Sequence, residues 1–185
     1  MTEEGQKQHK KVKAKLDRDK KKARANARKN TKTHQEQLTQ TVFNKMIRLL
    51  DEGESCISCG RDKCGTYWDA GHFKGVGSKG ELRFDPRNCY RQGSACNRAN
   101  RRPDKNNNKG LETIAQEYEA RLREKMGDEL VDWLNGYHEL PNFTEAELKE
   151  LRAVFAAECR RLERGEKPSR DWRSLNYTLR ELIEG

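Results

Sequence analysis

Between residues 56 and 97 the chain sets out Cys56-x2-Cys59, His72 in the run DAGHFKG, Asn88, and Cys96 followed directly by Asn97. Two cysteines separated by two residues fold a knuckle around one half of a tetrahedral zinc site, and Gly60 after them suits the positive φ of a tight turn. Cys96 closes the motif as a third thiolate; the fourth is Cys89, or Cys64 from the knuckle loop. Such a zinc contributes on the order of 10 kcal/mol to folding, enough to decide whether so small and polar a module folds. A neutral imidazole at His72 can take the proton from an attacking water, a role worth roughly 10²–10⁴-fold. A hard divalent cation would neutralise a phosphate and stabilise a leaving 3′-oxygen, and the Asp69 carboxylate and Asn97 amide oxygen are donors of the right kind. Asn88 is expected to orient the imidazole by hydrogen bonding across a hairpin. Taken singly, His72 reads as a structural histidine and the asparagines as turn or cap formers. The ordered set shifts the reading to phosphodiester hydrolysis.

The charge distribution agrees with a polyanionic target. Of a formal net charge of +9, residues 7–32 hold 13 lysines and arginines against Asp17 and Asp19, and residues 56–109 hold 12 against 5 acidic groups. The first segment offers Lys10, Lys11, Lys13, Lys20, Lys21, Lys22, Arg24 and Arg28 to phosphates, and the second offers Arg83, Arg87, Arg91, Arg98, Arg101 and Arg102. Tyr67, Trp68, Phe73, Phe84 and Tyr90 are expected to complete a small core rather than to stack bases. No base-reading helix is evident, so backbone shape is the expected target. With 37% charged residues and a mean hydropathy of −1.20, no run reaches the roughly 18 apolar residues of a membrane span, and no apolar signal core follows the basic start. The expectation is a soluble protein of a reducing cytoplasm, in which six cysteines favour metal over disulfides.

The elements that must position these groups divide the chain into three. Residues 1–34 form a basic arm with high helix propensity and only Val12 and Leu16 as sizeable apolar groups, expected to be mobile alone and to order on DNA. Residues 35–109 begin with an amphipathic helix carrying Val42, Phe43, Met46, Leu49 and Leu50, and continue into Gly-, Asn- and Arg-rich sequence that fits a hairpin and loops. Residues 110–185 read as helical. Leu111, Ile114, Tyr118 and Leu122 form one stripe, Leu130, Trp133 and Leu134 a short second helix, and Thr144 with Glu147 caps a third bearing Leu148, Leu151, Phe155 and Leu162. Cys159 beside that stripe is expected to be a buried apolar residue, and a last amphipathic piece carries Trp172, Leu175, Leu179 and Leu182.

CISCGR at 56–61, DAGHFK at 69–74, ELRFD at 81–85 and the stretch from Asn88-Cys89 to Cys96-Asn97 resemble the NinG/Rap recombination proteins of lambdoid phages. The resemblance implies a structure-specific endonuclease of the His-Asn-His (HNH, ββα-metal) superfamily, using Mg²⁺ or Mn²⁺ on branched recombination intermediates, Holliday junctions and D-loops. It implies His72 as general base, Asn88 as central asparagine and Asn97 as the third motif residue. It also implies a second Cys-x2-Cys ending at Cys96, where this chain has Gly93. The fold class expected is α+β, mostly helical, with a zinc-braced ββα-metal core between helical flanks.

The expected function is metal-assisted cleavage of branched DNA in the bacterial host cytoplasm, alongside phage recombination proteins. The alternatives are a less selective nicking endonuclease and a non-catalytic zinc-braced DNA-binding recombination accessory protein. Coordinated cutting of two strands favours a homodimer, formed through the C-terminal helices.

Overall fold

The computed structural model describes residues 3–29, 31–99 and 111–184. Two long helices, α1 (Glu3–Lys29) and α2 (Lys32–Leu50), precede an antiparallel pair, β1 (Trp68–His72) and β2 (Cys89–Gly93), and a short helix α3 (Ser94–Ala99). Four more helices follow: α4 (Leu111–Met126), α5 (Asp128–Asn135), α6 (Glu145–Glu163) and the single turn α7 (Glu181–Glu184). The result is a mostly helical α+β fold with a small two-stranded sheet.

Helix α1 has no apolar face to bury: residues 9–24 are all exposed, Val12 and Leu16 at 51% and 53%. Helix α2 starts afresh at Thr31, whose hydroxyl accepts from the His34 N–H at 3.3 Å. From there the apolar spacing takes hold, and Phe43, Met46 and Ile47 are fully buried against Leu148, Leu151 and Phe155 of α6. The Thr144–Glu147 capping box that opens α6 is formed in both directions, at 2.7 and 3.2 Å. Cys159 is buried on the α6 stripe as expected.

The hairpin lies between two cores. Ala70 and Cys89 join Phe84 in the core of α2 and α6, whereas Tyr90 joins Tyr118 and Leu122 of α4 with Leu130, Val131 and Leu134 of α5. This follows from the two-residue period of a strand, which sends Cys89 and Tyr90 to opposite faces. The long connection between the strands carries two 3₁₀ turns, Gly80–Leu82 and Pro86–Asn88.

The final amphipathic piece is a strap of turns that becomes helical only at α7, because Trp172, Leu179 and Leu182 reach the α2–α6 core without a regular backbone. Two arginines clasp the strap reciprocally. Arg173 donates to the Pro86 and Cys89 carbonyls at 2.7 and 2.8 Å, forks onto the Asp51 carboxylate at 2.8 and 2.9 Å, and lies 3.5 Å over the Tyr90 ring. Arg87 donates from the hairpin side to the Ser174 and Tyr177 carbonyls. Among the described residues no helix is long and apolar enough to cross a membrane.

Candidate functional site

Gly60, at φ +67°, turns the knuckle so that its N–H reaches the Cys56 carbonyl at 2.7 Å. The sulfurs of Cys56, Cys59, Cys64 and Cys96 all lie within 4.8 Å of one another, and those of Cys64 and Cys96 are 3.2 Å apart. Tetrahedral ligation at a Zn–S distance of about 2.3 Å needs sulfurs about 3.8 Å apart, so the set fits a metal such as zinc. Donors already face the sulfurs: the Gly93 N–H lies 3.3 Å from Cys56 Sγ and the Arg61 Nε–H 3.5 Å from Cys59 Sγ. Hydrogen bonding from the Cys96 thiol, followed by the Gly93 N–H, lowers the Cys56 pKa to about 4, while Cys96 is pushed up as it keeps the shared proton.

Of the two candidates for the fourth thiol, the structure groups Cys64 with the other three. A Cβ built on Gly93 would lie 2.7 Å from Cys64 Sγ and 2.1 Å from the Cys64 carbonyl oxygen. Cys64 thus fills the space that a cysteine at position 93 would use, which gives the missing second Cys-x2-Cys a physical explanation. Cys89 is a correction to the sequence expectation. It is fully buried in the α2–α6 core, where desolvation raises its pKa and keeps it a thiol.

His72 ends β1, partly exposed, with its ring 5.9 Å from that of Phe43. Its Nε2 lies 2.9 Å from the Arg83 carbonyl, an arrangement that puts the proton on Nε2 and the basic lone pair on Nδ1. Cys89 Sγ stands 3.7 Å from Nδ1. Asn88 hydrogen-bonds through its side-chain amide to the loop that follows β1. Its amide oxygen accepts from the Lys74 N–H at 2.8 Å, and its NH₂ donates to the Lys74 and Leu82 carbonyls at 3.0 and 3.2 Å. Asn88 therefore ties the chain beyond His72 to the residue before Arg83, whose carbonyl meets the imidazole.

Asp69 and Asn97 do meet: the Asn97 NH₂ donates to the Asp69 carboxylate at 2.9 Å, joining β1 to α3 beside the thiol cluster. Strand alternation places Asp69 and His72, three residues apart, on opposite faces of β1. Gly71 lies between them because the Gln92 side chain crosses it, and a Cβ there would sit 2.0 Å from Gln92 Oε1.

The arginines separate by environment. Arg87 is a correction as a phosphate ligand, being only 3% exposed and forked onto Asp85 at 2.6 and 2.8 Å. Arg83 is engaged with Gln40 and Glu36, and Arg91 donates to the Asp51 carbonyl and lies 4.1 Å over Trp68. Arg98 is exposed over Tyr67, and Lys10, Lys11, Lys13, Lys20, Lys21, Lys22 and Arg24 are exposed on α1. The Arg28 side chain and residues Arg101 and Arg102 lie outside the described residues. Tyr67, expected in the core, is 46% exposed, whereas Phe84 and Tyr90 are buried. Asp51 and Arg173 carry no local signal, since they pair across 122 positions.

The family model described as Bacteriophage Lambda NinG protein matches residues 1–166. Curated relatives named Protein ninG include those of Escherichia phage lambda and Salmonella phage P22, 30% and 31% identical over 116 residues, or 63% of this chain and 51% of each relative. That of Escherichia phage 933W is 30% identical over 63% of this chain and 52% of its own length. The chain thus spans about half the length of the curated relatives it matches. No solved structure matches.

Proposed function

The chain belongs to the NinG family, and from that premise we propose that it is a zinc-braced, divalent-cation-dependent DNA endonuclease of the His-Asn-His type that cuts branched recombination intermediates. The observation that carries this reading is the Asp69–Asn97 contact, in which the Asn97 NH₂ holds the Asp69 carboxylate next to a four-thiol knuckle, with the Asn97 amide oxygen on the other arm of the same group. Mg²⁺ or Mn²⁺ is bound by one or two carboxylates with several waters and substrate oxygens, so this pair fits as its protein share. Bound there, the cation supplies charge neutralisation at the phosphate and stabilises the leaving 3′-oxygen.

The protein's own groups do the rest. His72, held between the Arg83 carbonyl at Nε2 and the Cys89 thiol near Nδ1, takes the proton of the attacking water once its ring turns a nitrogen away from these partners. Asn88 holds the loop on which that geometry depends. Exposed lysines and Arg24 on α1, with Arg98, bind the phosphate backbone without reading sequence. A non-catalytic zinc-braced DNA-binding protein is the second reading, favoured by the placement of His72 and Asp69 on opposite strand faces.

Labelled four-way junction and matching linear duplex, incubated with the protein and with His72→Ala under Mg²⁺, Mn²⁺ or chelator, separate these. Cation-dependent cutting of the junction that is lost in His72→Ala is expected. Equal cutting of both DNAs means a general nickase, and binding without cutting means an accessory module.

A further inference from the structure

Tyr67 is a large aromatic group left nearly half in water, at 46% exposure, next to the candidate site. Its mounting is rigid. The Ser94 N–H donates to the Tyr67 carbonyl at 3.0 Å, and the Ser94 hydroxyl accepts from the Thr66 and Tyr67 N–H groups at 3.1 and 3.4 Å. Gly65, at φ +92°, lets this loop approach so closely that a Cβ would lie 2.3 Å from Ser94 Oγ. The backbone is thus locked to the start of α3 while the ring faces solvent. Arg98, from the same helix, sets its guanidinium 5.0 Å from the ring centroid and donates to the tyrosine hydroxyl.

Tyr67 stands in the bend that leads into β1, two residues before Asp69. Arg98 adjoins Asn97 in α3. Two rungs therefore run in parallel from strand to helix, Tyr67–Arg98 and Asp69–Asn97.

We propose that Tyr67 and Arg98 form a seat for an unpaired nucleotide at a DNA branch, the ring stacking its base and the guanidinium holding its phosphate, one step from the phosphate at Asp69–Asn97. This rests on the endonuclease reading and adds to it a source of branch selectivity. Every base has a face to stack, so the seat is indifferent to sequence, but an intact duplex has no base to offer it. A ring already fixed in place loses little conformational freedom on stacking, and a guanidinium both stacks and forks onto phosphate.

The test uses the whole protein with Ca²⁺ in place of Mg²⁺. Its probes are a flapped duplex carrying 2-aminopurine as the unpaired base at the branch, and the fully paired duplex. The native protein should quench 2-aminopurine. Tyr67→Ala should lose the quench and about five- to 150-fold in affinity for the flapped DNA, while its duplex affinity stays within about twofold and its zinc content is unchanged; Tyr67→Phe should keep both. No loss on the flapped DNA, or an equal loss on both DNAs, overturns the seat. Cleavage under Mg²⁺ is scored separately: a native protein that quenches but never cuts overturns the endonuclease reading and leaves the seat standing, whereas one that cuts branched DNA without quenching overturns the seat alone.

Discussion

The knuckle with its hairpin and the α2–α6 helix pair meet at Ala70 and Cys89, yet they are held together differently. The helix pair buries Phe43, Met46, Ile47, Leu148, Leu151 and Phe155 to 1% exposure or less, and stands on apolar area. The knuckle gathers four thiols with Ile114 and Trp68, and of its own loop only Ile57 reaches the α4–α5 core, so much of its order depends on what those thiols bind. A region stabilised by ligation can expose polar, chemically useful side chains on short elements, which a region stabilised by burial cannot. Asp69, Asn97 and Tyr67 lie on the side of the thiol cluster, whereas His72 faces Phe43 and Cys89 of the helix-pair core, and none of the four is buried.

The widest separation between the two regions should come from Cys56→Ser. Loss of zinc removes on the order of 10 kcal/mol from the centre, and near-ultraviolet signals from Trp68 and Tyr90 should collapse while most far-ultraviolet helicity remains. A protein that keeps bound zinc and its near-ultraviolet spectrum would show that the thiols are not the brace. Phe155→Ala acts on the other side, where removing a fully buried ring should cost about 3–5 kcal/mol in denaturant unfolding and leave zinc stoichiometry intact. A loss of less than about 1 kcal/mol would contradict the picture of a tightly packed helix pair. At the small end, Thr144→Ala breaks the capping box of α6 and should lower stability by about 1 kcal/mol, again without touching the metal. A zinc loss in that variant would mean that the two regions are coupled more closely than their packing indicates.

How far the sequence could be read follows the same division. The helices were legible because a 3.6-residue apolar period runs through Phe43, Met46 and Leu50, and through Leu148, Leu151 and Phe155. The thiol cluster was legible because Cys-x2-Cys leaves few alternatives, although its fourth member was not: choosing Cys64 over Cys89 needed the space beside Gly93. The strap at 172–180 and the loop held by Asn88 obey neither periodicity nor ligand spacing. They are fixed by single long-range bonds such as Arg173 to Asp51, which leave no trace in local sequence. Arg87 reads as a DNA contact for the same reason, because nothing near it in sequence shows the strap that covers it. Tyr67 reads as core because exposure of a lone aromatic depends on what packs across it, and here that is the guanidinium of Arg98.

In the proposed endonuclease, the hairpin beside the four thiols holds Asp69 and Asn97 as the cation site. Mg²⁺-dependent cleavage of a labelled four-way junction by native protein and by Asp69→Asn, with zinc content measured in the same samples, tests it most directly. The account predicts cutting by the native protein and a loss of at least about a hundredfold in Asp69→Asn, with one zinc per chain retained in both. Equal cutting by the two proteins at equal zinc content would contradict it.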